Sequence, residues 1–259
     1  KEVEAECGWM YRTLHTASAR TEQRGLSDEW AEKLKACKTA QEILKLLSPQ
    51  SSALCTGPTW GRINYTVWSD VFVCPECTQE VVFWEAAVDK EAGKVHDEFP
   101  CPHCGAKLTK RNMDRAWVAK YDKAIGETIR QAKQVPVLIN YSIGKKRHQK
   151  TPDAFDLALI EKIEELDIPY WFPTDRMPEG YNTEQPKVSH GLTHVHHFYT
   201  KRNLWVLGAI SKLLDAKTRL VFQSIVATLC SRLVRYNMGN SGNGPLSGTL
   251  YVSSLIAET

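Results

Sequence analysis

Residues 73–105 read VCPECTQEVVFWEAAVDKEAGKVHDEFPCPHCG, and the fold of this part of the chain turns on what its four cysteines do. Cys74/Cys77 and Cys101/Cys104 form two Cys-x-x-Cys pairs separated by 23 residues. Zinc takes deprotonated, soft ligands in a tetrahedron, and one Cys-x-x-Cys turn places two thiolates on the same side of such a centre with backbone N–H groups facing the sulfurs. Both turns have the knuckle form, Cys-Pro-Glu-Cys and Cys-Pro-His-Cys-Gly, and Gly105 suits the positive φ that the tight turn requires. The spacing is slightly longer than in the usual ribbon, which a longer hairpin (VVFWEAAVD…KVHDEF) absorbs. Disulfides and a redox pair are the alternatives. A redox Cys-x-x-Cys needs no second matching copy, and the scattered Cys7, Cys37, Cys55 and Cys230 suit reduced thiols in a cytoplasmic protein. The expectation is one structural zinc per chain, held by Cys74, Cys77, Cys101 and Cys104, with every position filled and none open for a catalytic water. A small β insert buries little apolar surface, and metal binding supplies the missing folding energy.

With 259 residues, 42% of them hydrophobic, the chain can bury a core as one large domain or two smaller ones. No apolar run reaches membrane-spanning length, so no membrane partner is expected. The opening KEVEAECGWMYRTLH lacks a signal-peptide layout, and both ends read as cut, as in an excised part of a larger protein.

Outward from the cysteines the pattern predicts an α+β fold with a helical N-terminal segment, a four-cysteine zinc-ribbon β insert, and then mixed strands and helices. The corresponding boundaries are 1–60, 61–118 and 119–259. Residues 1–16 read as helix, and two helices follow within 27–47, the second opening on the capping box Thr39-Ala-Gln-Glu42. SPQSSALCTGPTWG (48–61) is a loop. INYTVWSDVFVC and EVVFWEAAV, β-branched and aromatic, read as strands on either side of the first cysteine pair. Residues 127–144 again read as strand, leading into a polar turn, KKRHQK. Thr151-Pro152-Asp153 looks like a helix start with Thr151 as N-cap, and Phe155, Leu159, Ile163 and Leu166 fall on one face. Residues 168–191 are rich in Pro and Gly and read as an ordered loop. Helices from Thr200 to Asp215 and over 218–237, a glycine-rich turn and a last strand, TLYVS, complete the chain.

The net charge of +3 conceals an asymmetry. From Lys107 to Lys150 twelve Lys/Arg face only Asp114, Asp122 and Glu127, whereas 151–185 carries nine acids against Lys162 and Arg176. Two faces of one solvated domain and a polyanion footprint both fit this distribution. SHGLTHVHHFYTKRNLWVLG (189–208) gathers His190, His194, His196 and His197, but no acid lies within the run. A second metal site, structural histidines, and phosphate or partner contacts all remain open. The helix start at Thr200 offers free N–H groups as a phosphate seat, and Lys201 and Arg202 in its first turn oppose the helix dipole. GNSGNGPLSGTLY (239–251) lacks the Lys-Ser/Thr of a P-loop and reads as a turn before a strand.

INYTVWSDVFVCPEC, EVVFWEAAVD, FPCPHCGAKLTKR, QAKQVPVLINYSIGKKR, IPYWFPTDRMPEG, THVHHFYTKRNLWVLGA and GPLSGTLYVSSL together resemble one family over residues 1–16 and 60–259. It is the large prokaryotic DNA methylases of the amino-methyltransferase (N-4/N-6) type found in restriction-modification and phage-defence settings. The resemblance implies a zinc-ribbon-bearing insert within the methyltransferase, with the S-adenosylmethionine motif upstream and the catalytic Asp-Pro-Pro-Tyr/Phe motif downstream. This chain has no Phe-x-Gly-x-Gly and no Asp-Pro-Pro-Tyr/Phe. S-adenosylmethionine is therefore expected only in the complete enzyme, and no methyl transfer from this chain alone. What the resemblance implies is a DNA-engaging or target-recognition region, partnered by double-stranded DNA and the remaining methyltransferase domains. Its expected DNA contacts are Lys107, Lys110, Arg111, Arg115, Lys145, Lys146, Arg147, Lys201 and Arg202. The alternative is a zinc-stabilised scaffold that docks a partner protein subunit.

Overall fold

The computed structural model describes residues 1–15, 20–48, 58–226, 231–238, 243–245 and 250–259. Cys55, Cys230, most of the 48–61 loop and most of the glycine-rich turn lie outside the described residues. The chain is mixed α+β, and none of its described helices is long and apolar enough to cross a membrane.

The N-terminal segment holds α1 (Glu2–Cys7), a 3-10 turn over Gly8–Tyr11, β1 (Arg12–Leu14), α2 (Arg20–Ala36) and α3 (Ala40–Leu47). The expected helix over 1–16 therefore stops early. Arg12–Leu14 becomes an edge strand because its backbone pairs with residues 60–62, a contact that lies far along the sequence. Thr39 caps α3 as expected, its hydroxyl accepting from the Glu42 N–H at 3.2 Å. The Glu42 carboxylate reaches back one residue further than in the usual box, to the Lys38 N–H.

The organising element is β2 (Trp60–Val73), long enough to serve several neighbours. It is followed by β3 (Glu80–Val82), α4 (Phe83–Ala87), β4 (Val88–Asp89), β5 (Lys94–Val95), β6 (Glu98–Pro100), β7 (Lys107–Thr109) and β8 (Asp114–Arg115). EVVFWEAAV is thus strand only as far as Val82. Phe83, Trp84 and Ala87 are buried together on the inner side of one helical turn, a placement that alternation along a strand would not allow. A hairpin of β9 (Trp117–Asp122) and β10 (Glu127–Ala132) comes next, then β11 (Gln134–Ile143) and β12 (Lys146–Lys150). The stretch read as one strand over 127–144 is two, broken at Lys133, and KKRHQK is an edge strand rather than a turn.

The helix α5 (Ala154–Glu165) begins at Asp153 and not at Thr151. Asp153 and Asp156 make a reciprocal capping box, and the Lys150 ammonium bridges both carboxylates at 2.6 and 2.7 Å. The expected loop over 168–191 contains α6 (Tyr181–His190), in which the buried Pro186 is tolerated and Gly191 closes the helix. Then come α7 (Lys201–Leu213, capped by Thr200), α8 (Ala216–Val226), β13 (Val234–Arg235), β14 (Gly244–Pro245) and β15 (Leu255–Glu258). The helix expected over 218–237 ends by Val226 among the described residues, and Ser231–Leu233 forms a 3-10 turn that feeds β13. The last strand lies at 255–258, where the chain pairs with β2, and TLYVS precedes it.

The main sheet runs β12-β11-β2-β15-β13-β14, with every pair antiparallel. β11 lies along one edge of β2; β1 and β15 lie on the other. The end of β2 leaves this sheet to pair with β3 and β8. One strand thereby joins the cysteine-bearing segment to the C-terminal part of the chain. The helices pack a separate apolar core around Trp9, Met10, Leu34, Phe155, Leu159 and Trp205.

Gly191 has φ +71, and a Cβ there would lie 2.1 Å from the backbone oxygen of Arg130 in β10. Neither the torsion nor the contact can be relieved by a side-chain rotation. The expected outcome for Gly191→Ala is a loss on the order of 3 kcal/mol or more in denaturant unfolding. A loss below about 1 kcal/mol would mean that this close approach of α6 to β10 is absent in solution.

Candidate metal centre and basic surfaces

The two cysteine turns are copies of one backbone design. In the first, Cys74 N–H bonds Gln79 O (2.9 Å) and Thr78 N–H bonds Cys74 O (2.9 Å); in the second, Cys101 N–H bonds Ala106 O (2.8 Å) and Gly105 N–H bonds Cys101 O (3.0 Å). The residue after each second cysteine takes positive φ, +58 at Thr78 and +76 at Gly105. Glycine does this freely, whereas Thr78 offsets its strain with a hydroxyl bond to Cys77 O at 2.7 Å. The second turn is tied to the first by His103, whose Nε2 donates to Glu80 O at 3.0 Å. His103 is therefore a strut and not a ligand. Beneath the turns lie Phe72, Val81, Phe83, Phe99 and Leu108, a small apolar core built from the short strands.

This scaffold brings all four sulfurs within 4.8 Å of one another. Across the two turns, Cys74 Sγ lies 3.9 Å from Cys104 Sγ, and Cys77 Sγ lies 3.8 Å from Cys101 Sγ. A tetrahedron with metal–sulfur bonds of about 2.3 Å separates its sulfurs by about 3.8 Å. The cluster is positioned to hold one metal ion, and its all-thiolate donor set fits a soft cation and not an oxygen-seeking one. Without a cation, one charge in the cluster suppresses its neighbours. Against the Gln79 bond, which lowers it, desolvation and the adjacent sulfurs push the Cys77 thiol up to about 12. Against desolvation, the N–H groups of His103 and Cys104 hold Cys101 down at about 6.

The expected DNA contacts fall into three settings. Lys107, Lys110 and Arg111 lie on or just beyond β7, next to the second cysteine turn; Lys107 and Arg111 are exposed, and Lys107 pairs with Glu98 at 2.6 Å. Lys145, Lys146 and Arg147 are exposed at the β11–β12 hairpin. That hairpin meets β2 at Arg62, whereas Cys74 follows its last residue, so the two groups stand roughly 35 Å apart along the strand. The remaining three are engaged by other parts of the chain, two of them in its interior. Arg115 Nε pairs with the buried Asp70 at 3.0 Å, the Lys201 ammonium bonds the backbone oxygen of Glu164, and Arg202 is only 4% exposed, with its guanidinium over the Tyr11 ring. Neither Arg115 nor Arg202 belongs to an open basic face.

The phosphate seat expected at the start of α7 already holds an anion from this chain. Glu258 accepts from the Thr200 hydroxyl at 2.6 Å and from the Trp68 indole at 2.7 Å. This carboxylate also offsets the helix dipole that Lys201 and Arg202 oppose.

The histidines find acids from distant segments, which the local sequence does not reveal. His190 Nε2 donates to Asp70 at 3.3 Å. His196 and His197 each direct Nε2 at the same oxygen of Asp122, both at 2.8 Å. These three groups are close enough to share a metal ion. The outer ring nitrogens oppose that use. A metal-bound histidine donates its other N–H to an acceptor. Here His197 Nδ1 faces the Thr193 backbone N–H at 3.2 Å and so must accept, and His196 Nδ1 is buried without a partner. The arrangement instead fits two neutral Nε2–H rings donating to one carboxylate. The chain matches no family model, no curated protein and no solved structure.

Burial pushes His197 down to about 4, outweighing the raising effect of Asp122, and pushes His190 and His196 down as well. Burial also raises Asp122, but the bonds from His196 and His197 prevail and hold it at about 2. In the unfolded chain these rings take up protons near pH 6.5, whereas the folded His197 resists until about pH 4. The unfolded state therefore binds more protons in that window, and stability falls as pH drops from about 6.5 toward 4. Asp122 adds a further loss below about pH 4. Urea unfolding of His197→Gln should show a shallower pH slope between 6.5 and 4 than the parent chain. An unchanged slope would place the titration elsewhere.

Proposed function

We propose that this chain is the DNA-engaging region of an S-adenosylmethionine-dependent DNA amino-methyltransferase of a restriction-modification or phage-defence system. It would act in the cytoplasm, with one structural zinc in a ribbon held by Cys74, Cys77, Cys101 and Cys104. The observation that carries this reading is the juxtaposition of the cysteine cluster with Lys107, Lys110 and Arg111, on and just beyond the strand that follows its second turn. The family resemblance of the flanking motifs supports it. Zinc closes the turns and performs no chemistry here, because four thiolates leave no open coordination position. The complete enzyme, with its cofactor and catalytic motifs on other segments, would take the target base out of the stack to methylate its exocyclic amine. This region would hold the duplex through its phosphates, and any base-edge contacts would set the target sequence.

A scaffold that docks a partner subunit is the second reading, favoured by the exposure of Trp171 (70%) and Tyr181 (95%). Salt separates the two. Each phosphate neutralised by Lys or Arg releases counterions, so log affinity for duplex DNA falls linearly with log salt. The expected outcome is binding that weakens steeply with salt. The double charge reversal Lys110→Glu/Arg111→Glu should make that slope shallower by about two units. Absence of binding at low salt by the zinc-loaded chain would move the assignment to the scaffold.

A further inference from the structure

A cavity of about 200 Å³ lies between Trp68 and Glu258 of the main sheet, Gln131 of β10, Ile163 of α5 and the first turn of α7. It shares Lys120, Glu164 and Arg232 with a neighbouring cavity of about 450 Å³ that contains Asp122 and the His196/His197 pair. Among the described residues, eight buried side-chain polar atoms lack a hydrogen-bond partner, and four of them belong to residues lining the smaller cavity: Arg202 Nε and Nη1, Arg232 Nε and Gln131 Nε2. All four are donors. They come from three separate segments, α7, the Ser231–Leu233 turn and β10.

Leaving one buried donor unpaired costs about 1–3 kcal/mol, more for a charged group, so four around one cavity call for an acceptor. None of the described residues supplies one. Glu258 is taken up by Trp68 and Thr200, and stands 3.8 Å from Arg202 Nη1, too far for a hydrogen bond. The Gln134 side-chain oxygen accepts from Arg232 Nη1, and Glu164 is exposed at the margin. Arg202, Arg232 and Lys120 thus face Glu164 and Glu258, a net excess of one positive charge. Donors carried by three segments that line one cavity suit a tetrahedral oxyanion better than a planar carboxylate, and guanidinium groups are well matched to phosphate.

We infer that this cavity is a binding site for a phosphoryl group, organised by Arg202, Arg232 and Gln131. It lies apart from the exposed basic hairpins, and it stands or falls independently of duplex binding. Two sources share the chemistry, a free mononucleotide and a phosphate at the end of a single-stranded oligonucleotide.

The test is calorimetric titration of the zinc-loaded 259-residue chain with inorganic phosphate, deoxyadenosine 5′-monophosphate and a 5′-phosphorylated hexanucleotide, at constant ionic strength. Phosphate should bind and raise the melting temperature, sulfate should compete, and acetate should not. Gln131→Leu removes one orphaned donor without adding a charge. It should weaken phosphate binding about tenfold while leaving the ligand-free chain as stable or more so. Arg202→Met, which keeps apolar bulk over Tyr11, should abolish binding. Lys110→Glu/Arg111→Glu should leave it intact even where duplex affinity is lost. Tighter binding of the mononucleotide identifies a free nucleotide as the source, and tighter binding of the hexanucleotide identifies a strand end. No binding of any of the three, or undiminished binding by Gln131→Leu, overturns the inference.

Discussion

One fully buried carboxylate aligns the parts of this molecule. Asp70, near the end of β2, accepts from Arg115 Nε of β8, from Gln134 Nε2 of β11 at 2.9 Å and from His190 Nε2 of α6. Burial alone would raise its pKa, but the His190 and Arg115 partners prevail and hold it at about 2, so it remains charged. The Ser189 hydroxyl, 2.8 Å from His190 Nδ1, can donate to that nitrogen and leave the Nε2 proton directed at Asp70. Removing one member of such a buried set strands the others without partners, at a cost of several kcal/mol. The position matters because β2 exchanges neighbours there. Ser69 and Asp70 are the last residues of β2 to pair with β15 and β11, and Val71–Val73 pair with β3 and β8 before Cys74. The orientation of the cysteine turns relative to the main sheet is therefore set at Asp70.

The same economy governs the basic residues. Within the Lys107–Lys150 run, Arg115 pairs with Asp70 and the Lys150 ammonium bridges Asp153 and Asp156, both inside the fold. Those two cations are structural. The exposed members fall on three hairpins: Lys107 and Arg111 beside the second cysteine turn, Lys145, Lys146 and Arg147 between β11 and β12, and Lys120, Lys123 and Arg130 on β9–β10. Arg202 is buried beside Glu258. A contiguous charge run in the sequence thus becomes exposed cations on three separate hairpins and a set of internal pairs. A polyanion held by the surface patches and a phosphoryl group held in the cavity are different ligand problems for different residues.

The cysteine turns were legible in the sequence because their chemistry is local: Cys-Pro-x-Cys followed by a residue with positive φ encodes its own hydrogen bonds. The α+β class and the α7 cap at Thr200 were legible for the same reason. FWEAA was misread because its apolar residues suit either a strand or one helical turn, and only packing against Phe72 and Phe99 decides between them. The α5 start moved from Thr151 to Asp153 because Lys150 and Asp156 reinforce the later cap. The roles of Asp70 and Asp122 were invisible. Each meets its histidines across more than 70 residues of sequence, and no local pattern encodes that meeting.

The proposed closed, all-sulfur metal centre at the end of β2 is tested by X-ray absorption at the zinc edge of the purified chain. Four sulfur neighbours at about 2.3 Å, with no nitrogen or oxygen in the first shell, are predicted. A shell containing an imidazole or water ligand, or no bound zinc at all, would contradict it.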